Sequence, residues 1–281
     1  MVRIVSLALV LVFVLLPVGA LGSNLSSLDD EALAQLIEQA QQEQQDRIDK
    51  LPKVDSASLR AHKYEGDGWA TPEEAVQVYL AGLKALDLDK MLSAFAIESF
   101  VDHYHFAAKI EDMDAYNYHI ENRLPSTNDL FTSLNVETRK GGISDAIFFQ
   151  AVSIILPDVD FIAPNTMRDY EGGSKAFVDK ISVSSPLIIE DLDLVEFVAP
   201  EALSDTYLLE PIQKNLQRQM TFFGADEFKS IALYFTCNNQ KYIFCCDVLR
   251  YGEKWYLGSL NSHIGMILEV PSTSRGIMPI N

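Results

Sequence analysis

The hydrophobic pattern is sharpest in residues 71–100, where it predicts two helices in succession. Thr71, Pro72 and Glu74 form a helix-start signature: a capping hydroxyl, a proline at the first helical position and a glutamate three residues after the cap. Apolar residues then recur at helical spacing, and a second apolar series follows a break at Asp87. Because neither stripe can be buried by its own helix, we expect both helices to pack on a sheet or on further helices.

The middle of the chain carries mainly helical signals. Residues 143–156 are apolar on nearly all sides and follow the pair Gly141-Gly142, which predicts a buried helix that begins after the glycines. Residues 208–223 carry a helical stripe that stops at Gly224. Between these segments, the β-branched run 193–198 predicts a short strand.

The C-terminal part changes to a strand pattern. Residues 229–259 contain three apolar runs separated by Asn238-Asn239 and Gly252-Glu253, which predicts three antiparallel strands joined by hairpins. The segment HIGMILEV, 263–270, is predicted as a fourth strand, and residues 271–281 as a flexible tail.

The first 22 residues have the pattern of a secretory signal. Arg3 precedes a long apolar run, and the small residues Ala20 and Gly22 offer cleavage sites. The alternative is an uncleaved N-terminal membrane anchor, since the run is near the lower limit of about 20 apolar residues that a spanning helix needs. Either way, we expect a secreted or extracytoplasmic protein.

The pattern therefore divides the chain into four parts. These are a signal peptide at 1–22, a helical stalk and linker at 23–70, an α+β domain at 71–270 with a helical insertion at 107–227, and the tail. The formal net charge of −18 argues against nucleic acid and anionic membrane surfaces as partners. Membrane contact is expected only through an uncleaved signal. Three cysteines are too few, and of the wrong parity, for a disulfide framework.

Two segments carry a resemblance to a known family. The capped helix TPEEAVQVYLAGLKALD and the meander ending YGEKWYLGSLNS resemble uncharacterised exported proteins of Gram-positive bacteria in the NTF2-like, cone-shaped α+β superfamily. The matching segments are 71–95 and 229–259. The resemblance implies a curved antiparallel sheet around helices, with a cavity at the wide end. Known members include small-molecule isomerases and cyclases, scaffold subunits and many proteins with no known activity. Here the segment between the matching ends is longer and more helical, so inserted helices could fill that cavity.

One polar constellation is a candidate site. It consists of Asp102, His103, His105, Tyr118 and His119. In an NTF2-like cavity, an Asp–His pair with a tyrosine could act as base and oxyanion donor in proton abstraction. The alternative is that these residues hydrogen-bond helix ends and loops. Nothing fixes three or four converging zinc ligands, and the acidic pairs elsewhere lack the remaining ligands of a calcium loop, so no metal and no cofactor are predicted.

Two function hypotheses follow. No nucleophile elbow, phosphate-binding glycine loop, zinc-protease motif or CxxC motif is present in the sequence. The first hypothesis is therefore an exported, non-catalytic binding or accessory module at the cell envelope, whose partner is an unknown ligand or envelope protein. The alternative is a small-molecule isomerase or hydrolase with an Asp/His/Tyr pocket.

Overall fold

A computed structural model describes most of the chain beyond residue 62 and a few positions before it. The described residues are 34, 35, 38, 39, 41–43, 46, 63–112, 125–157, 161–163, 166, 167, 172–203 and 206–280. The chain divides into two units, Met1–Asp55 and Ser56–Asn281. In the first unit, the described positions are helical and exposed, where the sequence predicts a helical stalk. The predicted signal peptide, Tyr118 and His119 lie outside the described residues.

Four helices open the second unit: α1 (Pro72–Ala85), α2 (Leu88–Ser93), α3 (Glu98–His103) and α4 (Phe106–Asp112). The cap of α1 forms as expected, since Thr71 Oγ1 accepts a hydrogen bond from the backbone N–H of Glu74 at 3.2 Å. The Glu74 carboxylate, however, accepts from the N–H of Ala70 and not from that of Thr71. Asp87 caps α2 by accepting from the N–H of Lys90 at 3.0 Å.

The long middle segment is mainly helical, with one correction. Helix α5 (Asp129–Ile155) runs through Gly141 and Gly142 without a break, whereas the sequence predicted a helix that starts after them. Both glycines face open space, and the next turns are held by the buried side chains of Ile143 and Ile147, so core packing outweighs the glycine cost. The segment continues with β1 (Phe161–Ala163), β2 (Thr166–Met167), α6 (Gly173–Ile189), β3 (Asp193–Val198), α7 (Pro200–Leu203) and α8 (Thr206–Phe223).

A five-stranded antiparallel sheet forms the centre of the unit. Strands β4 (Glu227–Cys237), β5 (Gln240–Tyr251) and β6 (Lys254–Ser259) follow each other as predicted, with β3 on the outer side of β4. The first hairpin turns at Asn238 and Asn239, whose φ angles are 50° and 59°. Positive φ at both central residues is what a two-residue hairpin turn needs, and asparagine tolerates it.

The last thirty residues differ from expectation in two places. Residues 263–270 do not add a strand: helix α9 (His263–Ile267) starts there because Ser262 Oγ caps it, accepting from the N–H of Gly265 at 3.0 Å. The expected loose tail is also wrong. After a 3₁₀ turn (Ser272–Ser274), β7 (Ile277–Ile280) pairs with the first half of β5, beside β6. The fold is therefore α+β, with helices and an antiparallel sheet.

Helices cover both faces of the sheet. On one face, core side chains of α1 and α5, such as Tyr79 and Ile147, pack in one cluster with alternate residues of β5, such as Phe244 and Cys246. On the other face, α8 and α9 pack on the intervening residues, such as Cys245. Cys245 and Cys246 therefore point to opposite faces. Cys237 is also buried, and none of these three cysteines forms a disulfide. Within the described ranges, none of the helices is long and apolar enough to cross a bilayer.

The segment before α1 is pinned to the domain, although the sequence assigned it to a linker. Glu65 is only 5% exposed, and its Oε2 accepts hydrogen bonds from the N–H groups of Ile97 at 2.8 Å and Ser99 at 2.9 Å. The Ser99 hydroxyl donates to Oε1. In return, the Glu98 carboxylate accepts from the N–H groups of Tyr64 and Glu65. We call this reciprocal arrangement the carboxylate clasp.

Candidate functional site

A cavity of about 480 Å³ opens on the sheet face that α8 and α9 cover. Its apolar lining is aromatic, with rings from α3, α8 and β4, and we call the charged and amide side chains that share the cavity its polar end. The lining residues used below are Phe100, Phe223, Phe228, Arg139, Gln219, Asp247, Asn261 and His263. We call this space the main cavity. The polar end is where chemistry or specific recognition could occur.

An Asp–His pair forms the centre of that polar end. Asp247 lies on β5, its residue is 2% exposed, and His263 is the first residue of α9. His263 Nδ1 and Asp247 Oδ2 are 2.9 Å apart, and the Ser230 hydroxyl donates to Asp247 Oδ1 at 2.5 Å. An ionised carboxylate can only accept hydrogen bonds, so it fixes the imidazole with a proton on Nδ1. The carboxylate thus orients the ring and sets its tautomer.

Burial and hydrogen bonding shift the pKa values of both groups of the pair. Burial raises the pKa of Asp247, against the opposing effect of the hydrogen bonds from His263 and Ser230. The hydrogen bond to Asp247 raises the pKa of His263, against the opposing effect of its own burial. The imidazolium form of His263 therefore persists to a higher pH than that of an ordinary histidine. His263 is therefore a stronger proton acceptor than an ordinary histidine.

The second ring nitrogen of His263 faces an amide. Its Nε2 lies 3.0 Å from Nε2 of Gln219, which is half-buried on α8. An amide nitrogen is a donor only, so the neutral ring accepts this bond through its Nε2 lone pair. Nε2 of His263, the acceptor atom of the Asp–His pair, thus lies at the cavity wall, hydrogen-bonded to the neutral Gln219 amide.

A cation and a second amide complete the polar end. Arg139 reaches from α5: its Nε donates to the carbonyl of Ala96 at 2.6 Å, and an Nη group donates to the carbonyl of Gly258 at 3.1 Å. Its guanidinium carbon stands 3.6 Å from the centroid of the Phe100 ring. Asn261 Oδ1 is buried and makes no hydrogen bond to any described residue. The cavity thus combines a positive charge, an amide with spare hydrogen-bonding capacity and a proton acceptor.

The candidate residues chosen from the sequence lie elsewhere. Asp102 and His103 are exposed at the end of α3, where His103 Nδ1 donates to the carbonyl of Ser99 at 2.8 Å. His105 is exposed, and its backbone N–H donates to the carbonyl of Phe222. None of these three lines the main cavity. The catalytic role suggested for them stays a prediction.

Sequence reasoning missed Asp247 and His263. A signal existed for the first: Asp247 is the one charged residue in the otherwise apolar run YIFCCDVL. His263 carried no such signal, because its segment was predicted as a strand. Across the described residues, no three His, Cys, Asp or Glu side chains gather as metal ligands would.

Comparison with known proteins identifies no family for this chain. No protein-family model matches the chain, and no curated protein matches it. Among solved structures, it is similar to a cystatin-like protein from Ruminococcus gnavus ATCC 29149, with 18% identity and a TM-score of 0.42. The match covers 75% of this chain and 44% of that one.

Proposed function

We propose that this protein is an exported, non-catalytic binding module that holds a small ligand in the main cavity. The cavity itself carries the proposal. Its volume of about 480 Å³ lies within the range of small-molecule sites, roughly 300–1,000 Å³. Its mainly aromatic wall with a few convergent polar groups also has the composition of such sites. A ligand with a flat apolar body and one polar end fits this lining.

Export and family membership belong to the same proposal. The apolar N-terminal run with its small-residue flank supports export, and the capped α1 with the C-terminal meander supports an NTF2-like domain acting at the cell envelope. Export is tested by N-terminal sequencing of the protein secreted by a Gram-positive host. We expect the mature chain to begin at Leu21 or Ser23. A membrane-bound product that still begins at Met1 would leave only the anchor alternative.

Ligand binding is tested with an apolar fluorescent probe and a cavity-filling variant. We expect N-phenyl-1-naphthylamine to bind the wild type with a rise in fluorescence. Gln219→Trp should abolish this signal, because the indole would occupy the polar end of the cavity. Lys214→Trp, at an exposed position of the same helix, is the matched control and should bind as the wild type does. Equal binding by both variants would place the probe outside the main cavity and refute the proposal.

The Asp–His pair supports a second candidate, a small-molecule isomerase or hydrolase. A histidine oriented by a buried carboxylate is the arrangement of a general base. This candidate transfers the expected Asp/His chemistry from Asp102 and His103 to Asp247 and His263. The test is hydrolysis of 4-nitrophenyl acetate. Turnover above the buffer rate that disappears in His263→Gln would support it, whereas equal rates in the two proteins would exclude His263 as a hydrolytic base.

A further inference from the structure

The proton acceptor in the main cavity is Nε2 of His263, and the neighbouring residues hold the ring in the tautomer that accepts there. Asp247 accepts from Nδ1 of His263, so the lone pair of the neutral ring lies on Nε2. The partner of Nε2 is the Gln219 amide, a neutral donor on a half-buried side chain. A ligand hydroxyl that replaced this amide would meet a better acceptor than water offers, because the buried carboxylate stabilises the imidazolium that would form.

We propose that the ligand of the main cavity is a weak acid with an O–H group on a flat apolar body, such as a phenol or an enol. On binding, it gives its proton to Nε2 of His263. This inference rests on the proposed binding function and names the ligand class for it. The O–H bond of the ligand breaks and an N–H bond forms at Nε2. The bound pair is then an oxyanion beside an imidazolium, with the Asp247 carboxylate still ionised, and no net proton is gained or lost.

The polar end also stabilises the oxyanion. Arg139 brings a permanent positive charge to the cavity wall, held in place by the carbonyl groups of Ala96 and Gly258. The buried Asn261 oxygen makes no hydrogen bond to a described residue, and an amide flip that exchanges the oxygen and nitrogen positions would place its NH₂ group there as a donor to the anion. Charge-assisted hydrogen bonds of this kind are the stronger ones, and more so away from water.

The groups that face His263 from each element favour this proton transfer. Among the described residues that line the cavity, the charged or titratable ones are Arg139 from α5, Asp247 from β5 and His263 itself. Helix α8 contributes Gln219 and Phe223, and strand β4 contributes the Phe228 ring, whose centroid is 6.1 Å from that of the imidazole. Asp247 favours the imidazolium and Arg139 favours the oxyanion.

The test uses two probes that differ only in the acidic proton, 4-nitrophenol and 4-nitroanisole. They are added to the folded protein at about pH 6, where free 4-nitrophenol is mostly neutral. Because the pKa of His263 is raised above about 6.5, its ring is already protonated at this pH, so the same imidazolium–phenolate pair forms there with release of the phenol proton to the buffer. We expect 4-nitrophenol to bind with the long-wavelength absorbance of the phenolate. 4-Nitroanisole should bind more weakly, with no spectral change of that kind. His263→Gln should lose the phenolate band and bind 4-nitrophenol about ten- to a hundredfold more weakly, the range expected for a lost charge-assisted hydrogen bond.

A control variant and four alternative results separate the proton-transfer inference from the binding function. His103→Gln, at an exposed histidine outside the cavity, is the matched control and should keep the band. If both probes bind equally and no phenolate band forms, the proton-transfer inference falls while the binding function stands. If neither probe binds while N-phenyl-1-naphthylamine does, the inference falls and the binding function stands. If none of the three binds, the proposed function falls as well. A band that persists in His263→Gln would assign the proton to another group and refute the inference.

A variant that fails to fold does not weaken the test. In the wild-type protein, NMR of the histidine ring protons reports protonation directly. Just above the pH at which the His263 signal of the free protein titrates, addition of 4-nitrophenol should move that signal to its imidazolium position, and 4-nitroanisole should leave it unchanged. A His263 signal that does not respond to 4-nitrophenol while the phenol binds would overturn the inference.

Discussion

Replacing Glu65 by alanine removes the acceptor of three hydrogen bonds in the carboxylate clasp. Two of them come from backbone N–H groups, those of Ile97 and Ser99, and Ile97 is fully buried. Hydrogen bonds to a charged group contribute about 1.5–3 kcal/mol each, but relief from burying a carboxylate offsets part of that sum. We expect a net loss of about 3 kcal/mol, or a fall in melting temperature of about 6–12 °C for a domain of this size.

Glu65→Gln separates hydrogen bonding from charge. The amide oxygen can still accept from both N–H groups, so we expect a loss of only about 1 kcal/mol. Burial raises the pKa of Glu65 in the folded protein above its value in the unfolded chain, about 4.3. The stability that this raised pKa contributes to the folded state is therefore fully present below the unfolded pKa and is lost as pH rises through the folded pKa. The advantage of the wild type over the glutamine variant should therefore grow as the pH is lowered.

The assay is urea unfolding followed by circular dichroism, with Glu73→Ala as the control. Glu73 is exposed in the first turn of α1, and its loss should change stability by less than about 0.5 kcal/mol. If Glu65→Ala is as stable as this control, then the clasp does not hold residues 64 and 65 to the domain and the reasoning fails.

Three further predictions concern the core and the main cavity. Tyr79→Phe leaves the buried Gln150 Oε1 without its 2.6 Å donor and should cost about 1–3 kcal/mol in urea unfolding, whereas an unchanged midpoint would contradict that contact. Because the hydrogen bond to Asp247 raises the pKa of His263, the stabilisation from this pair is present below about pH 6.5 and is lost as pH rises through the folded pKa. His263→Gln should flatten that decline, and a parallel pH–stability curve would refute it. Burial raises the pKa of the Cys245 thiol to about 12, so Ellman's reagent should modify it only after unfolding; rapid labelling of the native protein at this cysteine would show the burial to be wrong.

Local signals predicted much of the fold. The cap at Thr71, the break at Asp87 and the turn at Asn238-Asn239 all depend on neighbours within a few residues, and the structure confirms them. The strand at 193–198 is also confirmed, although its pairing with β4 spans many residues. Such features are fixed by short-range steric and hydrogen-bonding preferences, which a single sequence displays.

The errors share a different cause. Gly141-Gly142 predicted a helix boundary, but packing of Ile143 and Ile147 in the core carries the helix through. The C-terminal residues have no strong strand pattern of their own, and β7 forms because β5 offers them an unpaired stretch of backbone. In both cases long-range contacts override local preference, which short-range patterns do not reveal.

The candidate site could not be assembled from the sequence for the same reason. Asp247 and His263 meet because α9 folds back onto β5, and Arg139 arrives from a helix more than a hundred residues earlier in the chain. The chosen residues Asp102 and His103 are neighbours in sequence, yet the structure leaves them exposed at a helix end. Proximity along the chain was thus a poor guide to convergence in space.

Strand β5 is buried at eight consecutive positions, from Tyr242 to Leu249, and Asp247 is the only charge among them. Before α8 and α9 cover this strand, a nascent or refolding chain exposes a segment with the composition that drives intermolecular β-pairing. We expect the Asp247 carboxylate to oppose self-association at that stage, because a charge interrupts the apolar run. Asp247→Leu could fill its site with apolar contacts and still lower the yield of soluble protein, because a group that organises the cavity in the native state also keeps unfinished chains apart.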